Sequence, residues 1–247
     1  METIEAGREF LKSRHWDEWA KVQTDQRKGL PAPPFQKPYP PNAALIDLVP
    51  PAQFRLGDMP LIEAIQRRRS RRRYTAEAFT LEVLSLLLWA TQGVQEVSSS
   101  NTLRTVPSGG ARHPFETYLA IQRVESLSPG LYRYLPLDHK LVLLYEDGRL
   151  LRRVADGCNR QGFVAGSAAT FIWTALPYRA EWRYSAIAHK VIALDAGHLC
   201  QNLYLASEAI GAGACAIAAY NQAEMDAILG VDGDEEFTIY VASAGKI

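Results

Sequence analysis

The chain has 247 residues, of which 47% are hydrophobic and 22% charged, an ordinary globular usage that excludes a wholly disordered polymer. Lys plus Arg and Asp plus Glu number 27 each, so the net charge is zero and a surface dedicated to coating nucleic acid or membrane is not expected. Three cysteines without C-x-x-C spacing exclude a disulfide framework and a four-cysteine zinc site, and point to a reducing compartment. The first eight residues mix charges without an apolar run, so no signal peptide is expected. The uncharged stretch from Gln161 to Tyr178 contains Gln, Ser, Thr, Gly and Pro, and reads as a loop and a buried strand rather than a membrane span. A soluble cytoplasmic protein is the expectation.

In chain order, residues 1–29 are polar and amphipathic, with Trp16 and Trp19 three apart, and predict a short helix. From Leu30 to Pro51 come eight prolines, each fixing φ and restraining the residue before it, so this segment must run extended. Phe35, Tyr39, Ile46 and Leu48 within it suggest an arm lying on a surface, of this chain or of a partner subunit. We therefore divide the chain into residues 1–59, helix and arm, and residues 60–247, the main domain. Pro60 opens a helix with Asp58 as its start signal, and Thr80 caps a second one that presents Leu81, Leu84, Leu87 and Leu88 and stops at Gly93. A polar loop through Asn101 follows. Strands are predicted at Thr117–Val124, Leu131–Leu135, Lys140–Tyr145, Ala168–Leu176, Ala214–Ala219 and Phe237–Ala242. His189 to Ile210 has the periodicity of a long buried helix ended by Gly211, and Asn221 with Glu224 starts the last helix. Helices and strands mix without strict alternation, which predicts an α+β domain.

The densest local signal is Arg67-Arg68-Arg69-Ser70-Arg71-Arg72-Arg73, six arginines in seven residues. A solvated helix end and a nucleic-acid patch are two readings. A phosphate site is the third, since guanidinium forks and a serine hydroxyl supply charge-assisted donors to phosphate oxygens. Pro107-Ser108-Gly109-Gly110-Ala111-Arg112-His113-Pro114 is either a tight turn or a loop whose glycines let backbone pass close to a flat ligand. Gly211-Ala212-Gly213-Ala214-Cys215-Ala216 matches G-x-G-x-x-A, but it leaves a helix for a strand, so the dinucleotide reading fails. A small-residue strand that permits close backbone approach remains. Asp195 and His198 share a helix face; without further ligands, His198 reads as a hydrogen-bonded core histidine and no metal site is expected. Serine-hydrolase and P-loop signatures are absent.

Taken together, Arg68 to Arg72 with Tyr74, Leu88 to Gly93, Pro107 to Pro114, Trp182-Arg183-Tyr184, Leu194 to His198, Gln201 to Leu205, Gly211 to Ile217 and Gly245-Lys246 resemble the nitroreductase family, in its SagB-type, thiazole/oxazole-forming dehydrogenase branch. The resemblance runs in order over residues 60–247. It implies a homodimeric α+β fold with a mostly antiparallel central sheet flanked by helices and FMN at the subunit interface. Carried over by position, Arg68 and Ser70 would bind the FMN phosphate with Lys246, Arg69 would lie nearer the ribityl chain, and Arg72 by the pyrimidine edge of the ring. Pro107, Ser108, Gly109 and Gly110 would reach the flavin of the partner subunit. The backbone of Ala218 and Ala219 would approach its N5 and O4. A guanidinium near N1 and C2=O would favour the reduced flavin electrostatically.

Arg183 and Tyr184 occupy the place of a Lys-Tyr pair in the azoline-oxidising members. Lysine can lose its proton when desolvated, whereas arginine effectively cannot, so Tyr184 keeps a proton-transferring group while the base is lost. The expected function is therefore an FMN-dependent, ping-pong oxidoreductase with NAD(P)H as donor and a small-molecule acceptor. The alternative is a dehydrogenase that oxidises azolines to azoles in a modified peptide, working with a cyclodehydratase. A nucleic-acid-binding module using the arginine run is the alternative of another class.

Overall fold

The computed structural model describes residues 3–247. Its helices are α1 (Ile4–Leu11), α2 (Leu61–Arg67), α3 (Leu81–Gln92), α4 (Leu150–Gly157), α5 (Tyr178–Tyr184), α6 (Ala188–Ala209) and α7 (Gln222–Leu229). The strands are β1 (Leu45–Asp47), β2 (Val94–Val97), β3 (Thr102–Arg104), β4 (Phe115–Ile121), β5 (Gly130–Leu135), β6 (Lys140–Glu146), β7 (Ala169–Ala175), β8 (Ala212–Ile217) and β9 (Phe237–Lys246). Seven of them form one antiparallel sheet in the order β1-β6-β5-β4-β7-β9-β8, and β2 and β3 make a separate hairpin. This is the expected α+β architecture with helices on a central antiparallel sheet.

Side-chain alternation explains why both faces are covered. On β4, Leu119 and Ile121 point to one core, while Tyr118 and Ala120 point to the other; on β7, Phe171 and Trp173 oppose Ile172 in the same way. The first core is closed by Leu84, Leu87 and Leu88 of α3 and Ile192, Leu199 and Leu203 of α6. The second is closed by Val154 of α4 and Met225, Ile228 and Leu229 of α7. Strands buried on both faces read as near-continuous apolar runs, which is what Ala169–Ala175 shows.

The local start and stop signals act largely as expected. The Thr80 side chain accepts from Val83 N, Asn221 accepts from Glu224 N, and α6 gives way to Gly211 at φ 68°. Two expectations are corrected. Asp58 does not cap α2, whose N-cap is Pro60 and carries no side-chain hydrogen bond. His198 is not a core histidine: its side chain is 47% exposed and its Nδ1 stands 3.8 Å from Asp195 Oδ1, because it lies with Gly197 on the solvent face of α6 while Asp195, Ala196 and Leu199 turn inward. The polar loop after Gly93 is the β2–β3 hairpin, and α4 and α5 are two further helices.

The proline arm lies on this chain's own sheet. Its β1 pairs with β6, Leu45 opposite Val142. Upstream, Phe35 O accepts from Arg104 Nη2 at 2.8 Å, Pro38 O accepts from Arg133 Nη2 at 2.9 Å, and Lys37 N donates to Glu116 Oε1 at 2.8 Å. A segment that cannot form its own ladder thus has its backbone groups satisfied by buried side chains. Among the described residues no helix is long and apolar enough to cross a membrane.

Candidate functional site

The arginine segment leaves α2 in extended form and crosses the edge of the sheet. Arg71 N donates to Ala214 O at 2.9 Å, Ser70 bridges Ala214, and Thr75 N donates to Lys246 O at 2.9 Å. Glycine is what permits this crossing. A Cβ on Gly213 would stand 2.6 Å from Arg71 Cβ and Cγ, and one on Gly245 would stand 2.8 Å from the Tyr74 ring. The close approach foreseen for the small-residue strand is therefore made by the chain itself at Gly213, and Ala218 and Ala219 lie exposed just beyond the end of β8.

Along this segment the arginines divide by partner. Arg67 pairs with Glu63 within α2, on its exposed side, while Arg71 pairs with the buried Glu208 at 3.1 Å, which fastens the segment to α6. Arg68, Arg69, Arg72, Arg73 and Lys246 have no carboxylate partner among the described residues. The Arg68 guanidinium lies 5.4 Å from the Tyr204 ring centroid, Arg72 lies 5.7 Å from that of Phe163, and the Ser70 and Tyr204 hydroxyls are 3.0 Å apart. Tyr204 Oη in turn accepts from Ala216 N at 2.8 Å. Unmatched guanidinium groups beside a serine hydroxyl and an edge strand make a donor set that suits a phosphate monoester. Tyr204 and Phe163 flank those cations; the sequence marks Tyr204 only as part of the segment 201–205 and Phe163 only as part of the loop 159–164, a candidate pocket wall, and nothing in their spacing assigns either an arginine partner.

A second cluster gathers around the glycine loop. Ser108 Oγ donates to Asp195 Oδ2 at 2.6 Å and accepts from His113 N at 2.9 Å, while Gly109 N also donates to Asp195 Oδ2 at 3.0 Å. Burial holds the Asp195 carboxyl above its usual range, an effect that these two hydrogen bonds offset only in part. Gly110, Ala111 and His113 all have positive φ, at 58°, 54° and 43°. Gly110 needs its missing side chain as well as its φ, since a Cβ there would lie 2.5 Å from Tyr184 Oη and 2.6 Å from Arg183 Nε. The structure thus places Gly110 against Arg183 and Tyr184 and Gly109 beside the Tyr184 ring, with Ser108 held on Asp195 and Pro107 exposed at the loop's start. The Arg183 guanidinium lies 5.5 Å from the Tyr184 ring centroid and its Nη1 donates to Gln26.

Tyr184 is roofed by the N-terminal segment. The Trp16 and Trp19 rings each stand 5.8 Å from it and 5.3 Å from one another. That roof is tied down by Gln26 N to Trp182 O, by Trp182 Nε1 to Leu30 O, and by Tyr178 Oη to Asp25. Arg27 stacks on Trp19 and donates to the Trp19 and Val22 carbonyls. The two clusters hang on one helix: Asp195 and Tyr204 are nine residues apart on α6, about 13 Å along its axis.

A model of the nitroreductase family matches residues 65–246. A protein of Methanocaldococcus jannaschii described as a nitroreductase is 28% identical over 191 residues, covering 77% of this chain and 93% of the relative. The trifolitoxin-processing protein of Rhizobium leguminosarum is 28% identical over 141 residues, 53% of this chain and 38% of that protein. Solved structures of proteins described as nitroreductases from Anabaena variabilis and Ralstonia eutropha superpose with TM-scores of 0.70 and 0.67 at 26% and 25% identity. The first match covers 85% of this chain and 43% of that one, so this chain spans less than half of the Anabaena protein; the second covers 88% and 98%. A Desulfovibrio desulfuricans protein solved with FMN shares the fold, with a TM-score of 0.54 at 23% identity.

Proposed function

The chain belongs to the nitroreductase family of oxidoreductases, and from that premise we propose that it binds FMN between two copies of itself and passes electrons from NAD(P)H to a small-molecule acceptor. The observation that carries this reading is the division of the arginine run. Arg67 and Arg71 are paired with Glu63 and Glu208, while Arg68, Arg69, Arg72 and Arg73 have no carboxylate partner among the described residues. Arg71, held by the buried Glu208 of α6, fixes the extended segment across the sheet edge, so that Arg68 lies by Tyr204 and Arg72 by Phe163 on either side of Ser70 rather than trailing from a helix end. Bound FMN would supply two-electron hydride chemistry that no side chain here can provide.

The chain's own residues then have distinct tasks. Arg68 and Ser70, with Lys246, hold a phosphate, and Arg69 lies nearer the ribityl chain. Arg72 sets a permanent positive charge at the pyrimidine edge of the ring, and the exposed backbone at Ala218 and Ala219 leaves room for the ring to approach. The loop Pro107-Ser108-Gly109-Gly110, held rigid by Asp195, closes the site of the partner subunit. Tyr184 donates or accepts a proton, and Arg183 beside it stays charged. The fit of the cofactor to this donor set is a matter of charge: a phosphate dianion meets unpaired guanidinium groups rather than ion pairs it would have to break.

A second reading is favoured by the likeness to the trifolitoxin-processing protein: oxidation of azolines in a modified peptide, with a cyclodehydratase as partner. Arg183 in the place of a lysine stands against it. The visible spectrum of the purified protein separates the readings. Oxidised-flavin bands that bleach on anaerobic NADH or NADPH support the first. Bands that bleach only with an azoline peptide, and faster in Arg183→Lys, support the second. We expect Arg68→Ala to lower bound FMN by at least about tenfold, the loss of one charge-assisted contact. Full flavin occupancy in Arg68→Ala and in Arg72→Ala alike would sink the site assignment.

A further inference from the structure

A cavity of about 460 Å³ opens between the N-terminal segment and the first turns of α6. One wall is Phe10 and Trp16. The other is Ile187, Val191 and Leu194, whose spacing sets them on one helical face. Phe10, Trp16 and Leu194 are exposed although they are large and apolar, so the chain keeps an oily slot open rather than collapsing it.

Charge at the rim is uneven. Lys12 is paired with Glu9 and His189 with Glu181, but Lys190 has no carboxylate partner among the described residues. Its ammonium donates to Leu11 O at 2.5 Å and to Ser13 Oγ at 2.9 Å, which uses two of its three N–H groups and neutralises none of its charge. The cavity also shares walls with the candidate site. Trp16 packs edge-on against Tyr184, and Val191 fills the space a Cβ on Gly109 would need, at 2.3 Å.

We propose that this cavity is the acceptor pocket of the candidate site and takes a flat aromatic molecule carrying an anionic group. Trp16 contacts its ring, and Lys190 binds its charge. The volume holds a fused bicyclic ring, the apolar walls favour its faces, and an unmatched cation at the rim selects an anion over its neutral isostere. The acceptor role rests on the reading of Tyr184 and the glycine loop given above; the binding chemistry does not.

The test titrates 2-naphthoate and its neutral isostere 2-naphthamide into the full-length protein by calorimetry, which needs no flavin. Naphthoate is expected to bind with saturation and the amide about tenfold more weakly. Lys190→Met should remove the difference, Lys190→Arg should retain it, and Trp16→Ala should weaken both ligands. Because Lys190 also ties down the N-terminal segment, the comparison of the two ligands on the unaltered protein carries the result without any variant. Equal affinities, or no saturable naphthoate binding, overturn the pocket. In turnover with menadione as acceptor, naphthoate should compete with menadione, and inhibition that menadione does not relieve overturns the acceptor role. Naphthoate binding in a protein that takes up no FMN would instead condemn the flavin reading and leave the pocket standing.

Discussion

His113 shows how much one buried residue can govern. The residue is 3% exposed, and Nε2 lies 3.1 Å from Thr102 O, a carbonyl that can only accept, so Nε2 carries the proton and donates. Burial, and then the nearby Arg104 charge, push its pKa from the usual 6.5 down to about 3. A depressed folded-state value means the unfolded chain binds the proton more readily. This contribution to stability is therefore complete above pH 6.5 and is lost as the pH falls toward about 3, at a limiting rate of about 1.4 kcal/mol per pH unit. Urea unfolding of His113→Gln should show a shallower loss of stability over that window than the unaltered protein. Arg179 gives a second case. It is 4% exposed against Glu116 at 2%. Arg179→Met strands a buried carboxylate and should cost about 3–5 kcal/mol, read as a lower urea midpoint. Neither effect could be read from the sequence, where His113 appears as part of a glycine loop and Arg179 as one more cation. Burial gives both residues their role, and burial depends on the sheet beneath them.

Helix and strand signals were legible where they are local. The leucines of α3, its cap at Thr80 and its stop at Gly93 all lie within a few residues of the backbone they control. Thr80→Ala should cost about 1 kcal/mol through the freed Val83 N, a change measurable by thermal melting. Gly93 stops the helix for a reason other than a left-handed turn: its φ is −58°, and a Cβ there would stand 2.2 Å from Trp89 Cδ1 and 2.5 Å from Trp89 O. Gly93→Ala should therefore destabilise more than the cap variant does. The elements missed lacked such signals. Helix α5 has no side-chain cap, and Arg149, which precedes α4, supplies none either. The β2–β3 hairpin carries a register shift between Val94 and Glu96 that breaks the alternation a strand needs to be recognised.

At the scale of the whole molecule, the proposed dimer follows from the placement of the two clusters. The cation set around Ser70 and the Asp195-held loop lie about 13 Å apart along α6, and a second copy can bring the loop of one to the cations of the other. Leu61, Ile62 and Ile65 of α2 stand exposed next to the arginine run. Flavin-loaded protein should sediment as a dimer, and Ile65→Asp should shift it toward monomer with release of FMN. A flavin-replete monomer would refute the shared site. The α+β class, the order of most elements, the arginine run and the glycine loop were determined by the sequence alone, because periodicity, caps and residue chemistry act over short range. That Arg71 pairs with Glu208, which glycines exist to let Arg71 and Tyr74 cross the sheet edge, and that Trp16 and Trp19 roof Tyr184 were decided only by tertiary structure. Each joins residues distant in the chain, and no local pattern encodes which contact a side chain will find once the sheet has closed.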